Sequence, residues 1–103
     1  MRTVRLSITF NDQFNQLLEQ GEHRFGLAVV EQKKNIVYMT IERLLARYPN
    51  AKRPDPIHGF CAYPISKTPF VVLYDFDDCE LRVHFIFHKH ADLRDLNPSI
   101  VEW

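Results

Sequence analysis

The sequence predicts an α+β fold in which a helical hairpin covers one face of a small, mainly antiparallel sheet. Three observations predict it. An alternating apolar stretch opens the chain, two stretches with apolar residues three and four apart follow, and the second half holds β-branched and aromatic runs separated by turn residues. The order is strand, helix, helix, strand, strand, strand, tail, and helices segregated from strands define the class. A length of 103 residues suits one domain, spanning 1–103.

The first strand is "TVRLSITF", where Val4, Leu6, Ile8 and Phe10 alternate with Arg5, Ser7 and Thr9. In "NDQFNQLLEQG", Asn11 reads as an N-cap, Phe14, Leu17 and Leu18 form one stripe, and Gly21 reads as the stop. "GLAVVEQKKNIVYMTIERLLARYP" reads as a longer helix with Leu27, Val30, Val37, Ile41, Leu44 and Tyr48 on one stripe, stopped by Pro49. Residues 50–59 are a loop by composition. "FCAYPI" is a short strand whose Pro64 implies an edge position or a bend. "SKTP" is a turn, "FVVLYDF" is a strand, and Asp77 and Asp78 turn the chain into a last strand from Leu81 to His90. The tail, "ADLRDLNPSIVEW", holds one helical turn and ends in Trp103, which is expected to dock at the sheet edge, with stacking on a base as the alternative.

With a period of two, the last strand splits into two rows. Leu81, Val83, Phe85 and Phe87 fall on the core side, and Arg82, His84, Ile86, His88 and His90 fall on the other. The expectation is that the helices cover one sheet face and that the imidazole row looks out from an open one.

Composition narrows the classes. Apolar residues make up 46% and charged residues 25%, a globular balance that excludes intrinsic disorder. Thirteen basic residues balance thirteen acidic ones, so no global positive field draws nucleic acid. Cys61 and Cys79 lack any disulfide or metal spacing and read as reduced thiols. No run of about 18 apolar residues occurs, the N-terminus reads as a strand rather than a leader, and a cytoplasmic protein without membrane attachment is expected. No Gly-rich phosphate loop, catalytic triad order or paired-carboxylate motif stands out.

Two stretches carry a resemblance. "ARYPNAKRP" and "PFVVLYDFDDCELRVHFIFHKHADLRD", in this order of elements and in about a hundred residues, resemble the RelE/ParE family of bacterial toxins. The likeness in element order covers nearly the whole chain, and in motif it covers residues 69–95. It departs from the family pattern after the last strand, where His90 and Ala91 stand in place of a basic residue, and in having no tyrosine beyond Tyr74. The resemblance implies a RelE/ParE-like fold and the toxin component of a type II toxin–antitoxin system, partnered by a cognate antitoxin in a hetero-oligomer. It implies one of two actions: RelE-like members cleave mRNA on the ribosome without a metal, the action expected of this chain, and ParE-like members poison DNA gyrase, the alternative. A toxin-like binding module without activity is the third reading.

Metal-independent RNA cleavage needs a proton acceptor, a proton donor and a cation on the phosphate, which histidines and arginines supply. Under the mRNA reading the catalytic candidates are His88, His90 and Arg94, and the RNA-binding candidates are Lys52, Arg53, Arg82 and Lys89. His88 and His90 would stand about 6.7 Å apart and Arg82 about 20 Å from His88, so Arg94 or Arg53 is the better phosphate ligand. His58 lies in the same loop as Lys52 and Arg53. Lys33, Lys34, Arg43 and Arg47 read as a solvated helix face. His88 and His90 alone are too few for a zinc site, and no cofactor or metal is expected.

Overall fold

The computed structural model describes residues 1–50 and 58–103. Its elements are β1 (Thr3–Leu6), α1 (Ile8–Phe25), α2 (Leu27–Met39), a π-helical continuation over Thr40–Leu45, β2 (Cys61–Pro64), β3 (Phe70–Phe76), β4 (Glu80–His88) and a short 3₁₀ turn at Pro98–Ile100. The sheet order is β1-β4-β3-β2. β1 lies parallel to β4, with Thr3 opposite Glu80 and Leu6 opposite Val83, and the other two pairings are antiparallel. The α+β class and the hairpin-on-sheet arrangement agree with the sequence. Pro64 sits on the edge strand, where its missing N–H costs no ladder bond.

The N-terminal boundary differs from the sequence expectation. The strand stops at Leu6, because Ser7 adopts an extended conformation and caps α1, its Oγ accepting from the Phe10 amide at 2.8 Å. Cap chemistry therefore overrides the β-branched pattern of Ile8 and Thr9, and Phe10 is buried from the helix rather than from a strand. Nor does Gly21 end α1. A side chain there would come within 3.3 Å of Val30 Cγ2, so glycine lets the two helices approach. The break falls at Gly26, whose φ of 84° suits only a residue without a Cβ. The second helix widens after Met39: the Ala46 amide bonds to the Ile41 carbonyl, five residues back, and Leu45 and Ala46 turn inward while Leu27 and Tyr48 stay exposed.

The hairpin buries Phe10, Phe14, Val37, Ile41 and Leu45 against Tyr63, Ile65, Phe70, Val72, Tyr74, Leu81, Val83 and Ile86. Each fully buried large side chain contributes about 1.5–3 kcal/mol of transfer free energy. A second, smaller cluster lies on the far face, where Ala62, Val71, Leu73 and Phe85 pack with Phe60, Phe87, Leu93, Leu96 and Val101.

The two clusters expose a break in the period of β4. Leu73 pairs with Phe85 and Tyr74 with Val83, so His84 is an extra residue, a β-bulge. Leu81 and Val83 face the helices, His84 and Phe85 both face away, and the alternation resumes with Ile86 beneath the helices. The expected single row Arg82–His84–Ile86–His88–His90 is therefore split. Arg82 and His84 lie on the far face, Ile86 is core, and His88 stands at the helix side of the strand end. Phe85 and Phe87 leave the core side for the far face. That face is also not open, since the chain from Leu93 to Trp103 crosses it.

The bulge leaves β4 backbone groups without ladder partners beyond the end of β1. Helix α1 supplies them: Ser7 Oγ donates to the His84 carbonyl at 2.6 Å, and the Ile86 amide donates to Gln13 Oε1 at 2.9 Å. Replacing Ser7 with alanine removes both the helix cap and the bulge's donor, and should cost about 1–3 kcal/mol. A urea melt reads this as a lower midpoint at unchanged slope, and a loss below about 0.5 kcal/mol would show that Ser7 does not hold the bulge.

Candidate functional site

β4 and the segment after it carry the chemistry-bearing side chains. His88 ends the strand opposite Phe70, and the His90 ring lies 5.3 Å from the His88 ring, centroid to centroid. The His90 amide donates to His88 Nδ1 at 3.2 Å. With that lone pair engaged, a neutral His88 ring carries its proton on Nε2. His58, Val71, His88, Lys89, Leu93 and Arg94 border one open groove beside this pair. The His58 ring nitrogen Nε2 meets the Leu93 carbonyl at 2.6 Å and ties the loop before β2 to the tail.

The cations of this end are already engaged. Lys89 Nζ donates to the Ile65 carbonyl at 3.2 Å. Arg94 forks onto Asp92, with Nη2 to Oδ2 at 2.7 Å, and holds the Asp92 carboxyl below its ordinary value. The pair is on the surface, with Arg94 87% exposed, so it contributes little stability and exchanges readily. The structure thus brings His88, His90, Lys89 and Arg94 into one neighbourhood. Lys52 and Arg53 lie outside the described residues.

Arg82 belongs elsewhere. Its Nε meets Asp75 at 2.7 Å and its Nη1 meets Asp77 and Glu80 at 2.9 Å each. Three carboxylates surround this one guanidinium, so the hairpin turn carries a negative local field, unsuited to the phosphate contact expected of Arg82. The hydrogen bonds that Arg82 donates to Glu80 and Asp77 raise its pKa further. His84 is not the exposed sheet residue that alternation predicts: its side chain is 12% exposed, between Phe60 and Trp103.

One feature the sequence reading missed is a second groove, between the hairpin and the end of β3. Leu17, Leu18, Phe25, Val29, Val30 and Phe70 form its apolar floor, and its charged lining residues, Arg24, Lys33 and His88, are all basic or imidazole. Phe25 is 62% exposed here. Lys33, expected to solvate the outer helix face, instead reaches across to the Lys67 carbonyl. Phe25, an aromatic placed immediately before the helix-breaking Gly26, was the available signal. His88 borders both grooves, so whatever occupies one touches the wall of the other.

Two groups on the helix side of the sheet are shifted mainly by burial: the Tyr74 hydroxyl, which donates to the Pro49 carbonyl, and the Cys61 thiol are both pushed up.

A helical hairpin on a four-stranded mixed sheet, with a β-hairpin leading into a histidine-bearing segment, defines the RelE/ParE-like toxin fold. Among solved structures the chain is similar to one described as "Chromosomal ParDE TA system from P. aeruginosa", with a TM-score of 0.74 over 85% of this chain and 96% of that one, at 13% identity. No family model matches the sequence, and no curated protein matches it. No described helix is long and apolar enough to cross a membrane.

The Arg82 cluster has a pH signature. The Asp77 carboxyl falls from 3.8 to about 2 through its hydrogen bond from Arg82 and those from the Glu80 and Cys79 amides. A depressed carboxylate stabilises the fold above its unfolded value and loses that contribution as pH falls from about 3.8 through about 2. The Tm of Asp77→Asn should lie below wild type near neutral pH, and the gap should close as pH approaches 2. Parallel melting curves across this range would show that Asp77 gains nothing from Arg82.

Proposed function

We propose that this protein is the toxin half of a type II toxin–antitoxin pair and that it acts by binding a protein target, of the DNA gyrase kind, rather than by cutting RNA. The observation that carries the toxin reading is the likeness in fold to the ParDE structure over 85% of this chain. Two features support action by binding. Arg82 is neutralised by three carboxylates, and His88 Nδ1 already accepts from the His90 amide. A net charge of zero adds no pull on a nucleic acid backbone.

The antitoxin's place is the apolar groove between the hairpin and β3. Its floor suits the apolar stripe of an amphipathic segment, and Arg24, Lys33 and His88 suit acidic residues along that segment's flank. Seated there, the segment contacts His88 and so reaches the neighbouring groove. This joins partner binding to control of the candidate site.

Ribosome-dependent mRNA cleavage is the second reading, favoured by one observation: His88, Lys89 and Arg94 line one groove, and the His90 ring lies 5.3 Å from that of His88. There the two imidazoles would handle the protons, and Arg94 would exchange Asp92 for a phosphate oxygen.

Induced expression should arrest growth with a DNA-damage response and no new transcript ends, and His88→Ala should leave the arrest intact. Transcripts cut at codons, with cutting abolished by His88→Ala, would replace this reading by the second. For the partner, Val29→Glu places a carboxylate at the half-exposed groove wall. It should weaken capture of the antitoxin encoded beside the toxin at least about tenfold, about 1.4 kcal/mol, while leaving the melting temperature within a few degrees. Unchanged capture would move the antitoxin off this groove.

A further inference from the structure

We propose that the groove beside the hairpin is a pocket for one aromatic ring with a carboxylate next to it, and that this ring is an anchor side chain of the antitoxin. The proposal rests on the partner reading given above and adds the chemistry of the residue that the partner inserts.

Size comes first. The groove holds about 150 Å³, and apolar walls around that much space take one benzene-sized ring. Leu17 and Leu18 come from α1, Val29 and Val30 from α2, and Pro69 and Phe70 from the start of β3. Gly21 also lines the groove and puts no side chain into it. Phe25, the last residue of α1 before the break at Gly26, borders it and is 62% exposed.

An aromatic row leads to the floor of this groove. The Phe10 and Phe14 rings lie 5.6 Å apart, centroid to centroid, and the Phe14 and Phe70 rings lie 6.0 Å apart, edge to face. Phe70, 6% exposed, is the member of the row that lines the groove. A guest ring extends the row and gains an aromatic contact that an alkyl chain of the same area lacks.

The rim calls for a carboxylate. Arg24, Lys33 and His88 border the groove, and among the described residues no carboxylate does. Lys33 Nζ donates one proton to the Lys67 carbonyl and keeps two more. Arg24 Cζ stands 5.4 Å from the centroid of the Phe25 ring, beside the groove. Neither cation is ion-paired among the described residues. Both therefore have donors left for charge-assisted hydrogen bonds to a partner's carboxylate. The same rim disfavours a second copy as occupant, because inserting Phe25 from another molecule would bring its own Arg24 against Arg24 and Lys33.

Three small probes on the full chain test the pocket: 3-phenylpropionate, its neutral amide 3-phenylpropanamide, and hexanoate, which keeps the carboxylate without the ring. In amide NMR titrations 3-phenylpropionate should shift Gly21, Val30, Lys33 and Phe70 together, with Arg82 as a distant reference that stays still. Its Kd should be on the order of 1 mM. The amide and hexanoate should each bind at least about fivefold more weakly. Arg24→Gln combined with Lys33→Gln should bring the carboxylate down to the affinity of its amide. In the antitoxin encoded beside the toxin, alanine at one aromatic residue with a carboxylate within about four positions should weaken capture at least about tenfold. Equal binding of all three probes, or shifts confined to residues outside the groove, would overturn the proposal. So would movement of the same four signals with protein concentration alone, which seats a second copy there. If Val29→Glu abolishes capture but no aromatic-to-alanine change in the antitoxin weakens it, the anchor falls and the partner reading of the groove stands.

Discussion

The extra residue at position 84 is the constraint on which the rest of the structure depends. A regular β4 would send Phe85 under the helices and Ile86 to the far side. The bulge exchanges them, and so creates two apolar surfaces on one sheet. It also leaves a carbonyl and an amide of β4 without strand partners at the point where β1 has become helix. Ser7 and Gln13 satisfy both groups, so the start of α1 is fixed by β4 as much as by its own cap. Helix placement, sheet register and the direction in which His88 leaves the strand are one linked solution.

The consequence for chemistry is a division of the imidazoles. His84 is enclosed between aromatic rings beside a carboxylate cluster, whereas His88 borders two grooves with the His90 ring beside it. A sheet of only four strands thus separates a covered, acidic patch around Arg82 from an open end whose flexible cations, Lys89 and Arg94, rest on weak local acceptors. The apolar groove beside the hairpin borders only the second.

Much of the fold was legible. Period and turn chemistry placed the hairpin, the three later strands and the edge position of Pro64, because each is a local property of a few residues. What was not legible is non-local. Asn11 read as the cap, but Ser7 takes that place, its hydroxyl also reaching the His84 carbonyl. Gly21 read as the stop, but it instead makes room for Val30, and the break falls at Gly26. Strict alternation from 81 to 90 assumes an unbroken ladder, and one inserted residue inverts every side chain beyond it. For the candidate site, the closeness of His88, His90, Lys89 and Arg94 was legible because they are neighbours in the chain. Arg82 was misread because its three carboxylate partners meet it only across a hairpin, and the groove at Phe25 was missed because its walls come from three elements.

The parallel pairing of β1 with β4 sets a schedule for maturation. Thr3 finds Glu80, and Ser7 finds the carbonyl of residue 84, only after most of the chain has been made. The first strand and the cap of the first helix must therefore wait, partnerless, while the ribosome completes the second half. Until strand β4 has cleared the exit tunnel, the nascent chain holds no assembled sheet and no finished histidine-bearing end. A chain that stops short of β4 therefore assembles neither the four-stranded sheet nor the histidine-bearing end.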